Sequence, residues 1–67
     1  MLIELKAPTA MINPAGEIKT FPAGTRVNYA RVAAPGGQWL HRIMHMTAKG
    51  TFRLEAVTEV GGVPTWL

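Results

Sequence analysis

Two histidines four residues apart are the side chains best suited to chemistry in this chain. On a helix, His41 and His45 would lie one turn apart and could chelate a metal ion together. On a β-strand they would be separated by roughly 13 Å, which is too far for one ion. No third ligand accompanies them in either conformation, and the chain has no cysteine. We therefore expect neither a metal site nor a cofactor.

The other polar residues argue against catalysis. The chain contains no serine, cysteine or aspartate, so the commonest nucleophiles and half of the carboxylate types are missing. The four glutamates are distributed among separate elements or the solvent face of a predicted strand: Glu4, Glu17, Glu55 and Glu59. Adjacent glycines at 36–37 and 61–62 are typical of hairpin turns and not of a phosphate-binding loop. We expect a protein that is not an enzyme and has no small-molecule substrate.

Length and composition predict one small domain, residues 1–67, with little stability to spare. A chain of 67 residues is near the lower limit for a self-sufficient hydrophobic core, and without cysteine it has no disulfide. Hydrophobic residues make up 48% of the chain and charged residues 16%. A domain this small has little interior for so many apolar side chains. We therefore expect a protein partner or self-association.

No segment of the sequence has the pattern of a membrane anchor. There is no run of about 18 apolar residues, and residues 1–6 contain an acid and no basic leader. The expected location is cytoplasmic, and the compact, motif-poor chain is compatible with an accessory gene of a phage or plasmid. Seven Lys and Arg against four Glu give a net charge of +3, which leaves nucleic acid as a second kind of partner.

Alternating apolar and polar residues predict an all-β fold. The clearest pattern is a three-stranded meander, with strands at 25–32, 38–46 and 51–60 and glycines at both reversals. Before it, the pattern predicts a strand at 2–6 and a hairpin around Ile18, between two Pro-Ala-Gly turns. After it, residues 63–67 are expected to form a short last strand.

The segment 38–49 also fits an amphipathic helix, which would make the fold α+β. At 100° per residue Trp39, Leu40, Ile43 and Met46 gather on one side. No capping side chain stands at 36 or 37, however, and a hairpin also explains the pattern. With residues 48–50 as a three-residue loop, Met46 would face Phe52 and Met44 would face Leu54. We therefore prefer the strand.

This register predicts which residues form the core. It places Val27 opposite Met44, and the apolar side chains of all three strands then share one face. The expected core comprises Val27, Leu40, Met44, Met46, Phe52, Leu54 and Ala56.

The same register predicts two binding surfaces on the opposite face of the meander. Arg26, His45 and Arg53 would form a cationic row able to accept phosphate oxygens of a nucleic acid. Beside it, Trp39, His41, Ile43 and Val57 would form an apolar patch. Such a patch is covered either by the N-terminal hairpin or by another protein chain.

The order of these elements resembles the small SH3-like barrels. The likeness is carried by Phe-Pro-Ala-Gly-Thr-Arg-Val at 21–27 and Gly-Gly-Gln-Trp at 36–39, and it extends over most of the chain. It implies a barrel of five or six short antiparallel strands. Barrels of this kind bind peptides, bind nucleic acids or assemble with other subunits, so the fold alone does not choose a function.

Residues 24–43 also resemble the central strands of the plasmid-borne type II dihydrofolate reductases. That family builds a pore from four chains with a Val-Gln-Ile-Tyr segment. The nearest equivalent here is Val-Pro-Thr-Trp at 63–66, which lacks the glutamine and the tyrosine. We therefore expect a non-catalytic interaction or assembly module, which could form a homo-oligomer. The alternative is a small barrel that binds nucleic acid.

Overall fold

The computed structural model describes all residues from 1 to 67 and confirms the all-β class. Six antiparallel strands form one sheet: β1 (Leu2–Glu4), β2 (Thr9–Ile12), β3 (Ile18–Phe21), β4 (Arg26–Ala34), β5 (Gln38–Thr47) and β6 (Gly50–Glu59). The alternative helix over 38–49 is wrong, because β5 occupies that segment. No helix of the structure has the length and apolar character needed to span a membrane.

The sheet is built around the meander of β4, β5 and β6. Its strand order is β1-β4-β5-β6-β2-β3, so β1 lies beside β4 while β2 lies on the far side, beside β6. The short connection at residues 5–8 carries the chain from one side of the meander to the other. The sheet does not close into a complete barrel, and β1 and β3 are its two edge strands.

The reversal between β4 and β5 depends on two glycines. Gly36 and Gly37 have φ angles of 77° and 75°, in the left-handed region where a Cβ atom causes strain. This turn brings Ala34 opposite Gln38 and starts a long ladder of paired residues between the two strands. The Ala-Pro-Gly-Gly motif therefore forms the hairpin expected from the sequence.

The reversal between β5 and β6 is one residue tighter than the three-residue loop expected from the sequence. Thr47 pairs with Gly50, so only Ala48 and Lys49 form the loop. The Thr47 hydroxyl donates a hydrogen bond to the Gly50 carbonyl at 2.9 Å and accepts one from the Lys49 amide at 3.1 Å. These two bonds satisfy backbone groups in the tighter turn.

This shift by one residue turns every side chain of β5 to the opposite face of the sheet. Phe52 pairs with His45 and not with Met46, while Leu54 pairs with Ile43 and not with Met44. On the other side of β5, Met44 pairs with Asn28 and not with Val27.

The predicted core is therefore correct for β4 and β6 and wrong for β5. Val27 and Phe52 are buried, while Leu54 and Ala56 pack partly buried against them. Met44 and Met46 are exposed and Leu40 is only half-buried, all on the opposite face.

Residues from both ends of the chain complete the core. Leu5, Met11, Phe21 and Trp66 are all buried, and Ile43 is the most deeply buried of the core residues. The last strand expected at 63–67 is absent. Residues 65–66 instead form a turn that packs the Trp66 ring into the core, while the Trp66 carbonyl accepts a hydrogen bond from the Lys6 amide at 3.0 Å.

Candidate functional site

The structure separates the four residues of the apolar patch predicted from the sequence. Ile43 is 0% exposed and His41 is 1% exposed, so neither is available to a partner. Trp39 is half-buried on the same face, and the Arg31 guanidinium lies 4.3 Å from the centroid of its ring. Val57 is exposed, but β6 directs it to the other face of the sheet. The four residues do not form a common surface.

The predicted cationic row is also divided between the two faces. Arg26 and Arg53 are exposed on one face, whereas His45 is directed to the core face. The His45 ring packs edge-on against Phe21 at 4.9 Å, and its Nδ1 atom hydrogen-bonds to the Arg26 carbonyl at 2.9 Å. Arg26 also lies 3.9 Å from Glu4, which partly offsets its charge. These three residues do not form a phosphate-binding row.

His41 belongs to a hydrogen-bonded chain inside the fold. Its Nδ1 atom lies 2.6 Å from the Tyr29 hydroxyl, and its Nε2 atom lies 2.8 Å from Thr58 Oγ1. Because the Thr58 hydroxyl donates to the Gly62 carbonyl, it accepts from Nε2, and Nδ1 accepts from Tyr29. Both ring nitrogens are thus used internally. His41 has a structural role, joining the three strands of the meander to the segment that follows β6.

An apolar surface is found on the side of the sheet away from the core. We call it the outer face, and it consists of the even-numbered residues of β1 to β5 and the odd-numbered residues of β6. One row of directly paired residues crosses all six strands of this face: Leu2, Asn28, Met44, Arg53, Ile12 and Ile18. Four of these six side chains are large, apolar and exposed. We call this row the apolar band; its four apolar side chains are separated by Asn28 and by Arg53, a cation near its centre.

A groove lies on the outer face at the middle of this band. It has a volume of about 620 Å³, and Ile12, Met44, Arg53 and Pro14 are among the residues that line it. Next to it stands Met46, two residues beyond Met44 on β5 and 79% exposed. A long, flexible apolar side chain thus projects beside an open groove.

The outer face has no net charge and no lysine. Its charged residues are three arginines and three glutamates: Arg26, Arg42, Arg53, Glu4, Glu55 and Glu59. The Arg42 guanidinium and the Glu55 carboxylate form an ion pair at 2.8 Å. The three lysines lie elsewhere, with Lys6 and Lys49 in connections and Lys19 on the core face of β3. The net charge of +3 therefore resides outside the outer face.

Most residues of the apolar band have a signal in the sequence. Ile18 stands between charged Glu17 and Lys19, as an apolar strand residue does, and Ile12 pairs with it across the Pro-Ala-Gly turn. Met44 and Met46 alternate with His45 and Ile43 along β5, but only the register of β5 shows which way they point.

Comparisons with models of protein families, with curated proteins and with solved structures find no match to this chain.

Proposed function

We propose that this protein is a non-catalytic interaction module whose outer face binds another protein chain. The observation that supports this function is the apolar band, whose exposed Leu, Ile and Met side chains lie on four of the six strands, with Met44 near its centre. Exposed contiguous apolar surface on a small protein is typical of a binding surface. Water-exposed Leu, Ile and Met side chains in one row would gain free energy on contact with a complementary surface.

The composition of the outer face also supports this proposal. Surfaces that bind proteins are enriched in methionine and arginine and depleted in lysine. The outer face has two methionines and three arginines and contains no lysine, although the chain has three. Every charge on it except Arg53 and Glu59 lies within 4 Å of an opposite charge on the same face.

The terminal strands β1 and β3 are less suited to binding than the outer face. Edge strands can bind a further strand through their free backbone groups, but these two are short, with three residues in β1 and four in β3. Lys19 places a charge on the core face of β3, with its Nζ atom 5.3 Å from the centroid of the Phe21 ring. An inward-pointing charge of this kind discourages pairing at an edge.

Site-specific photocrosslinking tests the proposal without knowledge of the partner. We expect a photoreactive benzoylphenylalanine at Met44 to give a discrete covalent adduct with a protein chain, in the native host or in the purified protein. Its matched control carries the same group at Ala23, in the exposed turn between β3 and β4. The Ala23 variant should give little adduct. Equal labelling from both positions, or none from Met44, would contradict the proposed surface.

Nucleic-acid binding is the second candidate, and the positions of the lysines favour it. Lys49 and Lys19 line one groove of about 420 Å³ at the start of β3, together with Glu17. Lys6 follows Leu5, whose carbonyl accepts a hydrogen bond from the Gly24 amide just beyond the end of β3. Lys49 and Lys19 thus lie near the start of β3 and Lys6 near its end, an arrangement in which the three lysines could contact successive phosphates.

Salt dependence tests this second function. With three phosphate contacts to a single-stranded oligonucleotide, the slope of log K against log salt should be about −2, so affinity falls roughly 16-fold between 50 and 200 mM salt. Lys19→Glu and Lys49→Glu should each weaken binding, whereas Arg53→Glu, with the same charge change on the outer face, should have little effect. Absence of binding at low salt, or an equal loss in Arg53→Glu, would exclude this site.

A further inference from the structure

We propose that the partner of the outer face is a second copy of this chain, arranged so that Met46 of each copy enters the groove beside Met44 of the other. This inference rests on the proposed function of the outer face and specifies its occupant. Three independent features of the molecule support it.

The first feature is the charge of the outer face. When two identical surfaces meet, every excess charge meets the same excess charge, so a strongly charged face repels its own copy. The outer face balances three arginines against three glutamates, so it has no net charge to repel its own copy; Arg53 is the one charge that lines the groove itself. A foreign partner would not require this balance, and the rest of the chain, which holds the whole net charge of +3, does not have it.

The second feature is the presence of a projection and a depression on the same face. In a two-fold symmetric dimer, residue i contacts residue j of the partner while j contacts i. Met46 and the groove lined by Met44 and Ile12 are neighbours, so a two-fold axis passing between them inserts each Met46 into the opposite groove. Methionine is well suited to this contact because its unbranched side chain adapts to irregular cavities.

The third feature is the small size of the core. Only 10 of the 67 residues are buried in the isolated chain, and there is no disulfide. Domains of this size commonly gain stability from oligomerisation. Pairing around the groove would bury Ile12, Met44 and Met46, which are large apolar side chains exposed to water in the isolated chain.

Sedimentation of the purified protein is the first part of the test. We expect the wild type to sediment as a concentration-dependent dimer and Met44→Glu to sediment as a monomer. Met46→Glu should behave like Met44→Glu, and because Met46 is so exposed it provides a variant that keeps the fold. Ala23→Glu adds the same charge in a remote turn and should remain dimeric.

Cysteine cross-linking is the second part of the test. Because the chain contains no cysteine, only the introduced thiols can react. A tagged Met46→Cys chain is mixed with an untagged Ile12→Cys chain and treated with a short bismaleimide. The adduct between the Met46→Cys chain and the Ile12→Cys chain should form roughly a hundredfold faster than the adduct between the Met46→Cys chain and an Ala23→Cys chain. Two thiols held together in a dimer have a millimolar effective concentration. The rate should fall to the control value when Met44→Glu is added to both chains.

The outcomes separate this inference from the proposed function. A wild type that stays monomeric up to millimolar concentration, while Met44 photocrosslinks to a different protein, overturns self-association and leaves the outer face as a binding surface. A dimer that Met44→Glu disrupts, but without fast cross-linking between positions 46 and 12, overturns the arrangement alone. A dimer unaffected by Met44→Glu and Met46→Glu overturns both.

Discussion

Replacing Ile43 by alanine is expected to lower the free energy of unfolding by about 2–5 kcal/mol, the usual cost of removing a large aliphatic side chain from a core. Ile43 is 0% exposed and pairs with Tyr29 on one side and Leu54 on the other. A domain of this length has a total stability of about 3–10 kcal/mol. The variant should therefore lose a large share of its stability, as urea titration followed by tryptophan fluorescence would show.

Met44→Ala is the matched control for this prediction. Met44 is the next residue of the same strand, but it lies on the outer face and is 38% exposed. Measured on the monomer, its substitution should cost less than about 1 kcal/mol, because surface changes rarely cost more. The reverse order of the two effects would mean that β5 has the register first expected from the sequence.

The second large effect is expected from Thr58→Val, which keeps the shape of the side chain and removes its hydroxyl. The Nε2 donor of His41 would lose its acceptor at a site that is 1% exposed. An unpaired donor in a protein interior costs about 1–3 kcal/mol. We expect a loss of stability in this range by urea unfolding.

Two companion variants test whether the penalty comes from the unpaired histidine. Tyr29→Phe should cost a similar amount, because it leaves the Nδ1 acceptor of His41 without a donor. His41→Leu should cost less than either one, since Thr58 keeps its bond to the Gly62 carbonyl and the half-buried Tyr29 can turn to water. If His41→Leu is the most damaging of the three, the ring contributes mainly through packing and the hydrogen-bond argument is incorrect.

The contrast between β5 and its two neighbours explains which parts of the fold could be predicted from the sequence. In β6 the apolar Phe52, Leu54 and Ala56 alternate with charged Arg53 and Glu55, so one face is unambiguously the core face. Both faces of β5 are apolar, with Leu40, Met44 and Met46 on one and Trp39 and Ile43 on the other. Alternation predicts a strand in both cases, but in β5 it does not choose the buried face.

The turn between β5 and β6 determines which face of β5 is buried, and the sequence allows two lengths for this turn. Both a two-residue and a three-residue loop fit Ala-Lys-Gly, and the difference of one residue exchanges the two faces of β5. The Thr47 hydroxyl favours the tighter loop by bonding to Gly50 and Lys49. For this reason the β5 residues expected to bind partners lie on the core face, and the β5 residues expected in the core, Leu40, Met44 and Met46, lie on the outer face.

The sequence by itself determined the all-β class, the positions of the long strands and the faces of β4 and β6, because these depend on local alternation and on turn residues. Only the tertiary structure decided the face of β5, the burial of Trp66 and Leu5, and the alignment of the apolar band across the outer face. Those features depend on pairings between distant segments, in which one residue of register changes which side chains meet water.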